Sequence, residues 1–338
     1  MRLRLVVPGP IGQATGGYRY AARMLDAWRA AGRDVALEEL PGRFPDADAV
    51  ATAAARACLA RRRTGETLLV DGLALPAFAG LDLRRTVALV HHPLGLETGL
   101  SPADARALLA REAAWLRPLD GIVATSAATA RDLAAMGLAS GRIAHVDPAT
   151  EAARGVPSRA ATPTVLCVAT LTPRKDHPTL LKALARLRGL RWRCALVGST
   201  TRDAAQARLV RALVRELGLG RRVRLVGEVA PDKLARHYRA ARVFALPSRH
   251  EGYGMAFAEA LAQGLPVAGV AAGAVPSVVP RRAGILVPPA DPRSLARALA
   301  TLLGPGGRRR ARNARMLRFP DWATQAGRLW RAVEGFAR

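Results

Sequence analysis

Residues 241–267 read Ala-Arg-Val-Phe-Ala-Leu-Pro-Ser-Arg-His-Glu-Gly-Tyr-Gly-Met-Ala-Phe-Ala-Glu-Ala-Leu-Ala-Gln-Gly-Leu-Pro-Val. The stretch opens on a short apolar run of the kind that forms a buried strand. A loop punctuated by Gly252 and Gly254 follows, then a helical run, and Gly264-Leu265-Pro266 turns the chain into another apolar run. Strand, glycine loop, helix and strand in this order predict a βαβ unit and hence a parallel sheet. Gly252 and Gly254 let backbone approach a ligand closely. The helix after them turns N–H groups toward the loop, and its aligned peptide dipoles attract an anion such as phosphate. Glu251 stands before the helix and Glu259 about one and a half to two turns inside it, so both can border one pocket at different depths. Carboxylates there would accept hydrogen bonds from sugar and ribose hydroxyls. Taken alone, Glu251 is accounted for as a helix-start carboxylate worth ~0.3–1 kcal/mol, and Glu259 as a solvated helix residue. Within the whole string, the binding explanation is preferred.

The same alternation extends outward in both directions. Apolar runs fall at residues 3–7, 35–37, 68–70, 87–90, 121–124 and 142–146 in the first half, and at 165–169, 194–197, 223–226, 243–246, 267–270 and 285–287 in the second. Most are continuous rather than alternating, as expected for strands covered by helices on both faces. Between them, Ala21, Met24, Leu25 and Trp28 share one helix face, as do Leu180, Leu181, Leu184 and Leu187. The expected fold is therefore α/β, with doubly wound parallel sheets. The pattern breaks at 150–162, a stretch of Ala, Arg, Gly, Pro and Ser read here as a linker. It divides the 338 residues into two Rossmann-like domains, 1–155 and 156–318, followed by a helix over 319–338 that could pack back on the first. Ligands of open parallel sheets sit at the carboxyl ends of the strands. Two such domains facing each other would enclose a central cleft. A surface break is expected at 304–307, with the arginine run Arg308-Arg309-Arg310 in a surface linker. Arg61-Arg62-Arg63 is expected to end a helix.

Half the residues are hydrophobic but only 4% are aromatic, so the core is aliphatic. The net charge is +26, and 49 of the 52 basic residues are arginine, the lysines being Lys175, Lys182 and Lys233. Such a surface draws anions, but the positive residues are scattered and not interleaved with aromatics, which disfavours nucleic acid as a partner. Peripheral contact with an anionic membrane stays open. Cys58, Cys167 and Cys194 are sparse and unpaired, against a disulfide framework or zinc site and in keeping with a cytoplasmic protein, which could also sit peripherally at the inner membrane face. The amino-terminal apolar run is too short for a signal peptide, and no stretch has the ~18–20 apolar residues of a membrane span.

The glutamate pair resembles that of glycosyltransferase family 4, the retaining GT-B enzymes among the glycosyl transferases group 1. Seven residues separate the two glutamates, set in Pro247-Ser248, Glu251-Gly-Tyr-Gly-Met, Glu259-Ala-Leu-Ala and Gly264-Leu-Pro. Residues 165–181, Leu196-Val197-Gly198-Ser199, Val226-Gly227-Glu228 with its following helix, Gly284-Ile-Leu-Val-Pro-Pro and Asp321-Trp322 share the likeness, while the first half matches mainly in layout and in the segment around His91. The resemblance implies an acceptor-side first domain and a nucleotide-sugar-binding second domain. It implies that Glu259 binds the ribose of the donor, that Glu251 sits beside the transferred sugar, and that the amides of Gly252, Tyr253, Gly254 and Met255 hold the diphosphate. It also implies retention of anomeric configuration.

A second phosphate-facing element, Thr170-Leu-Thr-Pro-Arg174-Lys175-Asp176, follows a strand and precedes a helix. Cations there oppose the helix dipole, which argues for a ligand rather than an ordinary helix start. The family pattern supports Lys175. Thr170 stands where the family has an arginine, a place Arg174 could fill. Gly16 and Gly17 open a helix after the first strand, and the family pattern sets them beside donor and acceptor. His91 and His92 end another strand. Hydrogen bonding to sugar or acceptor and a purely structural role are both open for them, as are lining and solvent exposure for Glu97. Asp71 and Ser126 have weaker claims. No metal and no cofactor is expected; the nucleoside-diphosphate sugar is a co-substrate and the acceptor (glycan, lipid-linked or small molecule) is unnamed. The competing assignments are an epimerase or phosphorylase of the same fold, a silent sugar-nucleotide binder, and a non-catalytic nucleic-acid-binding protein.

Overall fold

The structure is a computed structural model that describes residues 1–151 and 161–337. Most of the stretch read as a linker, residues 152–160, lies outside the described residues. The chain divides into two compact units, Met1–Ala149 with Pro320–Arg338, and Thr150–Phe319.

The first unit runs β1 (Arg2–Pro8), α1 (Gly16–Ala30), β2 (Val35–Leu40), α2 (Ala49–Ala60), β3 (Glu66–Asp71), β4 (Thr86–Val90), α3 (Pro102–Leu116), β5 (Gly121–Ala124), α4 (Ala127–Ala135) and β6 (Ile143–His145). The second runs β7 (Thr164–Val168), α5 (His177–Ala185), β8 (Arg193–Val197), α6 (Ala204–Glu216), β9 (Val223–Gly227), α7 (Pro231–Ala240), β10 (Val243–Leu246), α8 (Met255–Ala262), β11 (Val267–Val270), α9 (Val275–Val278), β12 (Gly284–Val287), α10 (Pro292–Leu303) and α11 (Pro305–Arg315). The closing helix, α12 (Trp322–Phe336), returns to the first unit.

Both sheets have six parallel strands, in the orders β2-β1-β3-β4-β5-β6 and β12-β11-β10-β7-β8-β9. Every apolar run read from the sequence is a strand. The continuous runs arise because the central strands are buried on both faces: β3, β4, β5, β10 and β11 have no exposed residue. The run at 142–146 is shorter than expected, since residues 140–142 form a 3₁₀ turn before β6.

Each strand order reverses once. In the first sheet the chain moves from β1 out to β2, then crosses back to β3 on the other side of β1. In the second it moves from β7 out through β8 and β9, then crosses back to β10. Loops leaving the carboxyl ends of β1 and β3, and of β7 and β10, therefore diverge to opposite faces and leave a crevice between them. That is where open α/β sheets bind ligands.

One expectation is overturned. Arg308-Arg309-Arg310 lies inside helix α11 and not in a surface linker. Pro305 at the first helical turn costs no internal hydrogen bond there, and the Arg and Ala that follow are strong helix formers. Gly307 is required by close packing, because a Cβ there would come within 1.8 Å of the Leu302 carbonyl oxygen on α10.

Candidate functional site

In the second unit, the loop after β7 and the loop after β10 are fastened together across the reversal point. The Arg249 amide donates to the Arg174 carbonyl at 2.8 Å, and Arg174 Nη1 donates to the His250 carbonyl at 3.0 Å. Arg249 Nε reaches Asp176 Oδ2 at 3.2 Å. At the centre, Lys175 Nζ lies 2.6 Å from Glu251 Oε1, and Arg174 Nη1 lies 3.6 Å from Glu251 Oε2. Residues 76 apart in sequence thus form one charged cluster. Glu251 is buried. Burial pushes its carboxyl up, but Lys175 and then Arg174 outweigh that and hold it below the usual carboxylate range.

The backbone under Glu251 is constrained from a third side. The Ala274 amide donates to the Glu251 carbonyl at 2.9 Å. Gly273 has φ 55°, and a Cβ on it would come within 2.3 Å of that same oxygen. Gly198 serves the neighbouring loop: a Cβ there would lie 2.0 Å from the Ala169 carbonyl oxygen, just before Thr170.

Helix α8 begins immediately after this loop. Gly254 is its N-cap at φ 93° and ψ 53°, a left-handed conformation that favours glycine. Gly252 and Tyr253 are partly exposed in the turn before it, and Met255 is the first helical residue. The first turn of a helix leaves N–H groups without intrahelical partners, and α8 begins four residues after Glu251, the residue that Lys175 and Arg174 contact. A helix start and two cations are the kinds of group that attract phosphate. Glu259 lies four residues beyond the first residue of α8, about one turn in and shallower than expected. Its Oε2 accepts a hydrogen bond of 2.8 Å from the Tyr238 hydroxyl of α7.

The first unit has its own cluster at the carboxyl ends of β3 and β4. His91, one residue past β4, puts Nε2 3.3 Å from Oδ2 of Asp71 at the end of β3. Its ring meets Tyr20 of α1 edge-on, with centroids 5.6 Å apart. Gly16 and Gly17 are the first residues of α1. A Cβ on Gly17 would come within 3.0 Å of the His91 ring, so Gly17 permits that approach. His92 diverges from His91 and lies 3.4 Å from Glu97. Ser126 is buried as the N-cap of α4, accepting from the Thr129 amide. Among the described residues, no group of three or more His, Cys, Asp or Glu is placed to hold a metal ion. Cys58, Cys167 and Cys194 are free and buried.

Residues 162–304 match the family described as glycosyl transferases group 1. These residues belong to that family. The match takes in both loops of the Lys175–Glu251 cluster and the whole of α8. Curated relatives of the group 1 segment include a D-inositol 3-phosphate glycosyltransferase of Kineococcus radiotolerans, 37% identical over 203 residues. That alignment covers 55% of this chain and 45% of the relative. A GDP-mannose-dependent alpha-(1-6)-phosphatidylinositol monomannoside mannosyltransferase of Mycobacterium tuberculosis is 36% identical over 149 residues, covering 42% of this chain and 38% of the relative. The chain thus spans less than half the length of these relatives. Among solved structures, the sucrose-phosphate synthase of Thermosynechococcus elongatus superposes with a TM-score of 0.81 at 23% identity, covering 99% of both chains. Anabaena HepE in complex with UDP-glucose gives 0.78 at 17% identity, covering 99% of this chain and all of that one. The fold around the group 1 segment is GT-B.

Several contributors to the group 1 site were not among the site residues expected from the sequence. Asp176 is legible as an N-cap, since Asp-His-Pro-Thr opens a helix and its side chain accepts from the Thr179 amide. Arg249 carries no sequence signal beyond its neighbours. Gly273 and Tyr238 act through contacts that only the folded chain creates.

Proposed function

We propose that the chain is a retaining glycosyltransferase that takes a sugar from a nucleoside-diphosphate sugar. The observation that carries this is the Lys175–Glu251 pair, 2.6 Å apart at the reversal point of the second sheet and beside the start of α8. In the absence of donor, Lys175 neutralises a buried carboxylate. A bound diphosphate offers Lys175 a second anionic partner, and Glu251 is then able to accept hydrogen bonds from the sugar.

In this mechanism Lys175, Arg174 and the amides at 252–255 stabilise charge as it develops on the leaving diphosphate. The anomeric carbon–oxygen bond breaks with oxocarbenium character. The acceptor oxygen attacks from the face the leaving group vacates, and its proton passes to the departing phosphate oxygen. Glu259 accepts from the ribose hydroxyls. His91 and His92, with Gly16 and Gly17, are proposed to contact the sugar or the acceptor. The chemistry calls for neither a metal nor a cofactor.

The names of the two relatives point to inositol phosphate and a phosphatidylinositol mannoside as the first acceptors to try. Both are phosphorylated polyols, which suit an arginine-rich protein. We place the proposed contact with an anionic membrane on α11, where Arg308, Arg309, Arg312 and the adjoining Met316 are exposed. Reversing those three arginines to Glu is expected to abolish binding to vesicles containing anionic lipid, whereas three reversals on α6 are not.

The test of function is release of nucleoside diphosphate from UDP- and GDP-sugars, with and without inositol 3-phosphate. Acceptor-dependent release that Glu251→Gln lowers by at least about 100-fold supports transfer. Acceptor-independent isomerisation of the sugar nucleotide identifies an epimerase instead.

A further inference from the structure

Helix α7 precedes the glutamate-pair stretch 241–267, yet its Tyr238 side chain reaches Glu259. Tyr238 is 3% exposed, and its hydroxyl donates to Glu259 Oε2 at 2.8 Å. The same hydroxyl lies 3.5 Å from the Ala256 carbonyl, one turn earlier on α8. The ring is held independently of the hydroxyl. It stacks on Phe244 of β10 with centroids 6.3 Å apart and planes 27° apart, and Phe244 meets Phe257 of α8 edge-on at 5.5 Å. A strand and a helix therefore fix the phenol before any ligand arrives.

We infer that Tyr238 is a positioning residue for donor recognition: its hydroxyl holds the Glu259 carboxylate in the orientation that receives the ribose diol. The inference rests on the proposal that Glu259 binds ribose. A glutamate on a partly exposed helix surface samples many rotamers, and freezing them on binding costs entropy. A charge-assisted hydrogen bond from a buried phenol spends that entropy at folding instead. An ionised carboxylate has about four acceptor positions. One taken by the phenol leaves capacity for two neighbouring hydroxyls, which require two acceptor positions at fixed spacing. Tyr238 touches no substrate in this scheme, so its removal should weaken ribose recognition and nothing else.

The experiment is calorimetric binding of UDP, GDP and their 2′,3′-dideoxy counterparts to the full chain and to the Tyr238→Phe and Glu259→Gln variants. Phenylalanine keeps the stack on Phe244, and an unchanged melting temperature verifies that the core persists. For whichever base binds, Tyr238→Phe is expected to weaken the ribonucleotide about tenfold, the scale of one lost hydrogen bond to a charged group. Glu259→Gln should weaken it at least as much. The dideoxy affinity should change less than about twofold in either variant. With a sugar nucleotide as substrate, Tyr238→Phe should raise the donor KM and leave kcat unchanged. Equal losses for ribo- and dideoxynucleotides would show Tyr238 to be structural only. A Tyr238→Phe variant that binds normally while Glu259→Gln does not would remove Tyr238 from recognition and leave Glu259 in place. A Glu259→Gln variant that binds normally would overturn the ribose assignment itself, and the inference with it.

Discussion

Three buried ionisable residues make different demands on pH. Burial with Lys175 and Arg174 beside it leaves the Glu251 carboxyl below its ordinary range, so its contribution to stability is present above the unfolded value and lost as pH falls through the folded one. His177, at the start of α5, is fully buried with neither ring nitrogen hydrogen-bonded, and burial pushes it down to about 4. The unfolded chain therefore binds this proton first, and stability falls as pH drops from about 6.5 toward 4. Glu112 behaves in the opposite sense. It accepts from the Leu94 amide at 2.7 Å with 2% exposure, and burial, opposed by that hydrogen bond, pushes its carboxyl up to about 7. Its contribution is present below the ordinary carboxylate value and is lost as pH rises through 7. Glu112→Gln is accordingly expected to be more stable than the wild type at pH 8, by about 2–3 kcal/mol, with the gap closing by pH 5. Urea denaturation at the two pH values measures this; a gap independent of pH would contradict it. Residue types at strand ends were legible in the sequence, their partners less so. Lys175 and Glu251 could each be placed at the end of a strand. The pairing of Tyr238 with Glu259 depends on how α7 docks beside α8, which no periodicity encodes.

At the scale of elements, the strands were the most legible part of the chain. Runs such as Leu68-Leu69-Val70 and Val267-Ala268-Gly269-Val270 have no polar alternation because helices cover both faces of the sheet. Helix α11 was illegible because Gly306, Gly307 and an arginine run look like a linker until the packing of Gly307 on α10 is seen. The loop after β11 was equally silent, yet it supports the site. Gly273→Ala would drive a methyl group into the Glu251 carbonyl, from a backbone angle that disfavours any side chain. The variant is expected to lose turnover well beyond its loss of stability, because the loop can yield only by moving Glu251. Comparing kcat with the melting temperature tests this. A loss of stability with normal kcat would show that the loop does not set the position of Glu251.

For the whole molecule, the last helix completes the first unit. Trp28 Nε1 donates to the Ala326 carbonyl at 2.8 Å, and its ring meets Trp330 edge-on at 6.0 Å. Gln325 donates to the Asp147 carbonyl at 2.6 Å, and Phe336 fills the space over Gly121 of β5, where a Cβ would lie 2.2 Å from its ring. Trp330→Ala is expected to cost about 3–5 kcal/mol, as truncation of a buried tryptophan does, and to act on the first unit. Calorimetry should show an early transition for that unit with the second unchanged; a uniform shift of both would contradict this. The spacing of Trp322, Ala326, Leu329, Trp330 and Val333 revealed the helix. Its docking site was not legible, because an apolar stripe does not name the surface it covers.

The proposed transfer requires the crevice at Lys175, Glu251 and the start of α8 to hold a nucleoside diphosphate. Titration of the wild-type chain and Lys175→Ala with UDP and GDP measures this most directly. Saturable binding of at least one nucleotide, weakened tenfold or more by Lys175→Ala, is the predicted result, about what one charge-assisted contact to phosphate contributes. Absence of binding by the wild type, or equal affinity in the variant, would contradict the account.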